Sequence, residues 1–398
     1  MWDDDRMSID NHAHPLLTAE NRYHVEAEGA ALEDAIYTLP HAAARRDLVR
    51  LYGLPPHASW EDVKQDRAAR LYDELCRMCF REAKIQCILI DDGLGGVKEI
   101  AEGYQWHDNY TTSPTRRIVR VEIVAQEILT ELVQAFWHAG FEEIDTVEDV
   151  LPMFSSSLHK RLSSSAEDPN VAGFKSVVCY RTGLDVATLP NEDAEVGALH
   201  DVYRHYRTGI NTPLRLAHKP LNDLVVRTTL KIAAMHNKPV QFHTGLGDAD
   251  ITLTRASPAH LQPLIAANPR TTFVLLHASY PYMREAGYLT AVYKNVYLDI
   301  GEVFPAVSGR GQEALIRQVL ELVPTNKVMW SSDGHWWPET YYLGSYQARQ
   351  ALSVVLQEAV KADELTKDEA ARVAKDILFH TANRVYLLGL EAQHVSRE

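Results

Sequence analysis

The chain has 398 residues, a net charge of −14 and 46% apolar residues. That length suits two domains or one α/β barrel with insertions, and the acidic balance speaks against a nucleic-acid partner. No apolar stretch approaches the roughly 20 residues of a membrane span, and the acidic start, residues 1–6, lacks the basic and apolar regions of a secretory signal.

Residues 7–11 read as a first strand, closed by His12 and His14. Side chains two apart in a strand point the same way. Both imidazoles would then enter one cavity, and neutral imidazole is a favoured ligand for divalent transition metals. Residues 20–83 follow a mostly helical pattern, broken at Leu54-Pro55-Pro56, and read as a helical cap inserted after strand one. Within it Cys76 and Cys79 share a helix face. With no second pair at that spacing they read as core thiols, and with Cys87 and Cys179 they fit a reducing compartment, the cytoplasm.

Strand two covers 85–90 and ends at Asp91-Asp92-Gly93, strand three covers 118–124 and strand four 171–175. The serine runs 155–157 and 163–165 read as loop. Strand five, 239–242, ends at His243; strand six, 272–276, ends at His277. Strand seven covers 296–300 and strand eight 327–333. Helix-like segments at 224–237, 258–268, 311–322 and 341–361 separate or follow the later strands, and 367–388 reads as a last helix outside the barrel. Strands that alternate with helices pair in parallel. Eight such units predict a closed, TIM-like (β/α)8 barrel, one domain over residues 1–398.

Active sites of these barrels gather at the C-terminal ends of the strands. There the sequence places His12 and His14, Lys175 after strand four, His243, His277 and Asp333. Four histidines and an aspartate converging at one mouth could hold zinc or a similar divalent ion.

The stretches IDNHAH at 9–14, GFKS at 173–176, QFHTG at 241–245, LLHAS at 275–279 and WSSDGH at 330–335 resemble the amidohydrolase-related superfamily. Within it they are most similar to the branch of the N-terminal domain of fungal fluG proteins, where such a domain precedes a glutamine synthetase-like one. The resemblance runs from about residue 7 to the 381–386 segment, and 277–302 is its most specific stretch. It implies the barrel fold, a divalent metal (most readily Zn2+), and hydrolysis by activated water with Asp333 as general base. By the same resemblance His12, His14 and Asp333 match ligands of a more buried ion, and His243 and His277 those of a more exposed one. Lys175 matches the position that carries a bridging carbamate in binuclear members. An ammonium offers no lone pair to a metal, whereas a carbamate is an anionic two-oxygen bridge. Two ions are therefore expected if Lys175 is carbamylated and one otherwise. His277 is also a catalytic candidate, as a donor to the substrate carbonyl if it is not a ligand.

Residues beyond the strand ends are candidates for holding substrate. Arg181 and Arg284 could clamp a carboxylate in bidentate geometry. Tyr280 lies between the strand-six histidine and Arg284, and His335 and Trp336 offer a wall beside Asp333. Arg120 and Glu122 share one face of strand three by the period of two, and Glu302 ends the strand-seven segment. The expected reaction is hydrolysis of an amide-type C–N bond in a small, carboxylate-bearing substrate, γ-glutamyl-like by the fluG resemblance. Two other readings stand beside it: a one-metal decarboxylase or lyase of the same superfamily, and an inactive barrel that binds or scaffolds. The sequence leaves the oligomeric state open, a homo-oligomer included.

Overall fold

Eight parallel strands line the molecule's interior: β1 (Ser8–Ala13), β2 (Ile85–Asp91), β3 (Arg116–Arg120), β4 (Val171–Ser176), β5 (Val240–Phe242), β6 (Phe273–Leu275), β7 (Val296–Asp299) and β8 (Val328–Met329). Each pairs with the next in chain order. Three backbone bonds draw β8 to β1: Asn11 N to Trp330 O (3.4 Å), Asp333 N to His12 O (3.1 Å) and His14 N to Gly334 O (2.7 Å). The expected (β/α)8 barrel is therefore the observed fold, described by a computed structural model over residues 5–21, 32–94, 100–142, 144, 150–207 and 213–395. No helix among these residues is long and apolar enough to cross a membrane.

Between β1 and β2 run α1 (Leu32–Ala35), α2 (Leu39–Tyr52), α3 (Trp60–Ala69) and α4 (Tyr72–Ala83). The Pro55-Pro56 break falls between α2 and α3. Gly53 closes α2 in the left-handed region (φ 70°), and Ser59 with Asp62 forms a capping box that starts α3. The connection from β3 to β4 holds α5 (Val121–His138) and α6 (Val150–Glu167), and the one after β4 holds α7 (Glu192–Tyr206) and α8 (Lys219–His236). Then come α9 (Gln262–Ala267), α10 (Met283–Val292), α11 (Val303–Ala306), α12 (Gly309–Leu320), α13 (Pro338–Lys361), α14 (Lys367–Lys375) and α15 (Thr381–Val385). α4 packs on α13 and α12 beside it, so the last part of the inserted stretch stands in the outer ring, while α2 touches α11 and α13.

Strands buried on both faces read as nearly continuous apolar runs, and all seven residues of β2 are buried. Inside the barrel Ile9, Cys87, Leu89, Ile118, Val274 and Met329 form a compact cluster. Phe379, Ala382 and Tyr386 close it from below, so the segment expected outside the barrel is its floor. The Tyr386 hydroxyl accepts from Gln241 Nε2 (2.7 Å) and meets Asn11 Oδ1 (3.3 Å). A filled lumen needs apolar groups at its base, and this C-terminal stretch supplies them.

Three further expectations change. Residues 121–124, read as the end of strand three, open α5 instead, so Arg120 and Glu122 do not share a strand face. The serine runs lie inside α6, where Phe154, Leu158, Leu162 and Ala166 recur every four residues and bury one stripe; a helix accepts serine on its open side when such a stripe is packed. Strand eight is two residues rather than seven, because after Met329 the chain turns into the site.

Candidate metal centre at the barrel mouth

The strand ends place their polar side chains by small departures from regular backbone. In β1 the register against β2 shifts between Asp10 and Ala13, and the shift brings both His12 and His14 toward Asp333. His277, Glu302 and Asp333 follow β6, β7 and β8, and all three have positive φ (66°, 58° and 52°). Such conformations cost non-glycine residues of order 1–3 kcal/mol and persist where the surroundings enforce them. Around His277 the enforcement is visible. Asp299 accepts its backbone N–H (3.2 Å), and Thr244 Oγ1 bonds Leu276 O (2.7 Å) and Ser279 Oγ (2.6 Å). Gly245, at φ 72°, is needed beneath this turn, because a Cβ there would lie 2.3 Å from Tyr280 O.

Two sets of ligand-type atoms result, His12 with His14 and Asp333, and His243 with His277 and Glu302. In the first, Asp333 Oδ1 lies 3.3 Å from His12 Nε2 and 3.6 Å from His14 Nε2. Donor atoms bound about 2.1 Å from one tetrahedral ion stand roughly 3.4 Å apart, so these residues fit a divalent cation. Asp333 Oδ1 is buried without a hydrogen-bond partner. His14 Nδ1 is 2.9 Å from the Asp91 carbonyl, which can only accept. The ring's hydrogen is therefore on Nδ1, and the Nε2 lone pair faces Asp333.

Behind this set Lys175 Nζ lies 2.7 Å from His12 Nε2 and 3.8 Å from Asp91 Oδ2. Arg120 grips the same carboxylate through Nη2 (2.6 Å) and Nε (3.0 Å). Burial alone would raise the Asp91 pKa, but Arg120, His14 and Lys175 outweigh it and hold it below the usual carboxylate range. Glu122 turns into the wall, where its Oε1 accepts from Ser176 Oγ (2.6 Å) and Val177 N (3.0 Å).

In the second set His243 Nδ1 is 3.1 Å from His277 Nε2, and His277 Nδ1 is 3.4 Å from Glu302 Oε2. His243 Nε2 meets Leu246 O (2.6 Å) and the Tyr180 hydroxyl (3.0 Å). Burial pushes His243 down to about 3 and His277 well below the ordinary histidine value, leaving both rings in the neutral form that ligates metals. Asp333 is held well below its usual value: burial would raise it, but His277, His12 and His14 prevail. The His12 and His277 ring centroids are 5.8 Å apart, so the sets adjoin.

The residues expected around the substrate divide. Arg181 follows β4, partly buried, and its Nε makes no hydrogen bond. His335 Nδ1 donates to Asp333 O (2.7 Å), with its ring 6.3 Å from His14. The Trp336 ring stands edge-on to His335, its Nε1 buried without a partner. Tyr280 lies partly buried against the apolar core. Arg284 does not belong to the site: it is exposed on α10, where Glu321 accepts from Nε and Nη2 at 3.1 Å each, so its fork is already filled. Sequence reasoning passed over Asp91, Tyr180 and the inward turn of Glu302. Asp91 obeys the same rule as the histidines, a polar group ending an apolar strand.

A family model of amidohydrolases matches residues 180–388, more than half of the chain. Protein fluG of Emericella nidulans is 42% identical over 403 aligned positions, which span 96% of this chain and 45% of that protein. The chain thus spans about half the length of this curated relative. Among solved structures, a protein of Lactobacillus casei ATCC 334, provisionally described as a metal-dependent hydrolase, superposes with a TM-score of 0.77 at 22% identity, covering 97% of this chain and 96% of that one. Uronate isomerases of Thermotoga maritima (TM-score 0.67, 15% identity) and Bacillus halodurans (0.65, 14%) each cover 96% of this chain and are themselves covered over 94%. At these identities the superpositions speak for the fold.

Proposed function

The chain belongs to the amidohydrolase family, and from that premise we propose that it is a metal-dependent hydrolase of a small amide that carries a carboxylate. The observation that carries the reading is Asp333 Oδ1, buried, without a hydrogen-bond partner and facing two imidazoles at 3.3 and 3.6 Å. A divalent cation held by His12, His14 and Asp333, with zinc suited to these donors, would supply Lewis acidity and lower the pKa of water to about 7. The remaining chemistry falls to the chain's own side chains. Asp333, kept anionic by the histidines around it, takes the proton of the attacking water and returns it to the leaving amine. Asp91, fixed by Arg120, receives His14 Nδ1–H at its backbone carbonyl and so holds the ring in register. Tyr180, beside His243, is placed to donate to the substrate carbonyl. Arg181 takes the substrate carboxylate. A γ-glutamyl-like amide is the form we propose, in keeping with the fluG branch.

The test is amine release from γ-glutamyl amides by zinc-loaded protein and by its Asp333→Asn variant. The variant is expected to fold as the parent does and to lose about 10²–10⁴-fold in turnover. Equal turnover excludes Asp333 as the base. Loss of carbon dioxide from a carboxylated analogue, without amine release, moves the assignment to a one-metal decarboxylase or lyase. Protein that binds no metal and turns nothing over is a binding barrel.

A further inference from the structure

Beneath the barrel, at the end opposite the mouth, a small cleft opens where the chain enters β1. Basic residues from three separate segments line it: Arg6 before β1, Arg349 on α13, and Lys375 with His380 in the C-terminal segment. Among the described residues no acid lines it, although the chain carries a net charge of −14. Arg6 Nε is buried and makes no hydrogen bond. Asp5, its neighbour in the chain, instead brings Oδ1 to 3.9 Å from Lys84 Nζ. Arg349 is only 6% exposed, and its Nε donates to Ser345 Oγ (3.2 Å), which fixes the guanidinium as part of the wall. Cations gathered in a partly desolvated cleft repel one another and focus a positive potential there, which a bound anion relieves.

We propose that this cleft is a binding site for a small oxyanion group, the carboxylate or phosphate end of a metabolite, held by Arg6, Arg349 and Lys375. Arginine presents a fork of donors that matches such oxygens, and lysine adds a compact charge. The cleft has room of about 20 Å³, on a scale where one water takes about 10–15 Å³. That accommodates the leading oxygens of an oxyanion and is too small for a sugar or a base. Leu378 and Phe379 make part of the wall apolar, so a short apolar substituent fits beside the charged end. Phe379 also belongs to the lumen cluster with Ile9, two residues beyond Met7 of the same cleft. A bound anion therefore ties the start of β1 to the floor of the barrel. The site is separate from Arg181, which follows β4 at the other end of the barrel, and it does not depend on the hydrolase reading.

Calorimetric titration of the protein with sodium phosphate, and separately with sodium propanoate, at constant ionic strength should show saturable binding of at least one of the two. Saturation by phosphate alone assigns a phosphoryl ligand and by propanoate alone a carboxylate, and either supports the site. The double variant Arg6→Met, Lys375→Met should bind the same anion at least about 10-fold more weakly, because each charged hydrogen bond contributes about that factor or more. Arg181→Met, at the mouth, should bind it as the parent does. Should the double variant fail to fold by circular dichroism, Lys375→Gln on the half-buried end of α14 is read for a loss of about 10-fold. No saturation by either anion up to about 10 mM overturns the proposal. So does equal affinity in parent and floor variants, and so does a loss caused by Arg181→Met alone, which places the anion at the mouth.

Discussion

Arg181 carries a guanidinium whose Nε is buried and makes no hydrogen bond. Burial pushes its pKa down and Arg215 pushes it further, so it is a partly desolvated cation short of a counter-charge. A substrate carboxylate would satisfy it, and a hydrogen bond to a charged group contributes about 1.5–3 kcal/mol. Arg181→Met should therefore raise KM for a carboxylate-bearing amide roughly 10–100-fold, with kcat nearly unchanged. The matched neutral amide should be affected little. Steady-state kinetics on the pair checks it, and an equal rise for both substrates would remove Arg181 from carboxylate recognition. Arg284, drawn into the same expectation by sequence alone, shows why residue type is not enough: its partner, Glu321, stands at the C-terminal end of α12, 37 residues on, and nothing near Arg284 in sequence announces it.

At the scale of elements, the stretch between β1 and β2 is fastened to the barrel by one buried ion pair. Arg67 on α3 donates through Nε to Glu339 Oε1 in the first turn of α13, and the Tyr52 hydroxyl on α2 donates to the same oxygen at 2.7 Å. Both charged side chains are at most 5% exposed. Breaking such a pair from one side leaves an uncompensated buried charge and costs about 3–5 kcal/mol. Arg67→Met should lower stability by that order in urea or thermal unfolding, and adding Glu339→Leu should recover much of the loss. Additive losses in the double variant would show that packing, not charge, is at stake. The α6 serines carry a related lesson. Ser155–Ser157 and Ser163–Ser165 look like turn chemistry in isolation, but burial of Phe154, Leu158 and Leu162 outweighs the local preference of serine.

At the scale of the whole molecule, stability in acid depends on histidines that fold neutral. His107, in the turn between β2 and β3, is fully buried; its Nδ1 donates to Tyr104 O (3.0 Å) and its Nε2 accepts from Leu16 N (3.2 Å). It thereby ties the chain after β1 to the chain after β2. Burial pushes it down to about 4 from 6.5. With the folded pKa below the unfolded one, its contribution is intact above pH 6.5 and is lost as pH falls from 6.5 through 4. The loss amounts to roughly 3 kcal/mol by pH 4. His107→Gln, which keeps the hydrogen-bonding types but cannot titrate, should flatten the Tm profile between pH 6.5 and 4 relative to the parent. Superimposable profiles would show that other groups set the acid limit.

The strand runs, their alternation with helices and the polar residue ending each run were open to reading in the sequence, because burial on both faces demands unbroken apolar stretches and catalytic groups can stand only where those stretches stop. On that basis the eight-stranded barrel and the convergence of His12, His14, Lys175, His243, His277 and Asp333 on one end were legible. The tertiary structure alone decided the rest. The shift in β1, the change from strand to helix at Val121, the floor made by Phe379 and Tyr386, and the inward turn of Glu302 all depend on contacts between segments far apart in the chain. Local periodicity reports which face of an element is apolar. It does not report which distant group will meet that face, nor where packing will hold a non-glycine residue such as Glu302 at positive φ, and those two facts determine which atoms share the site.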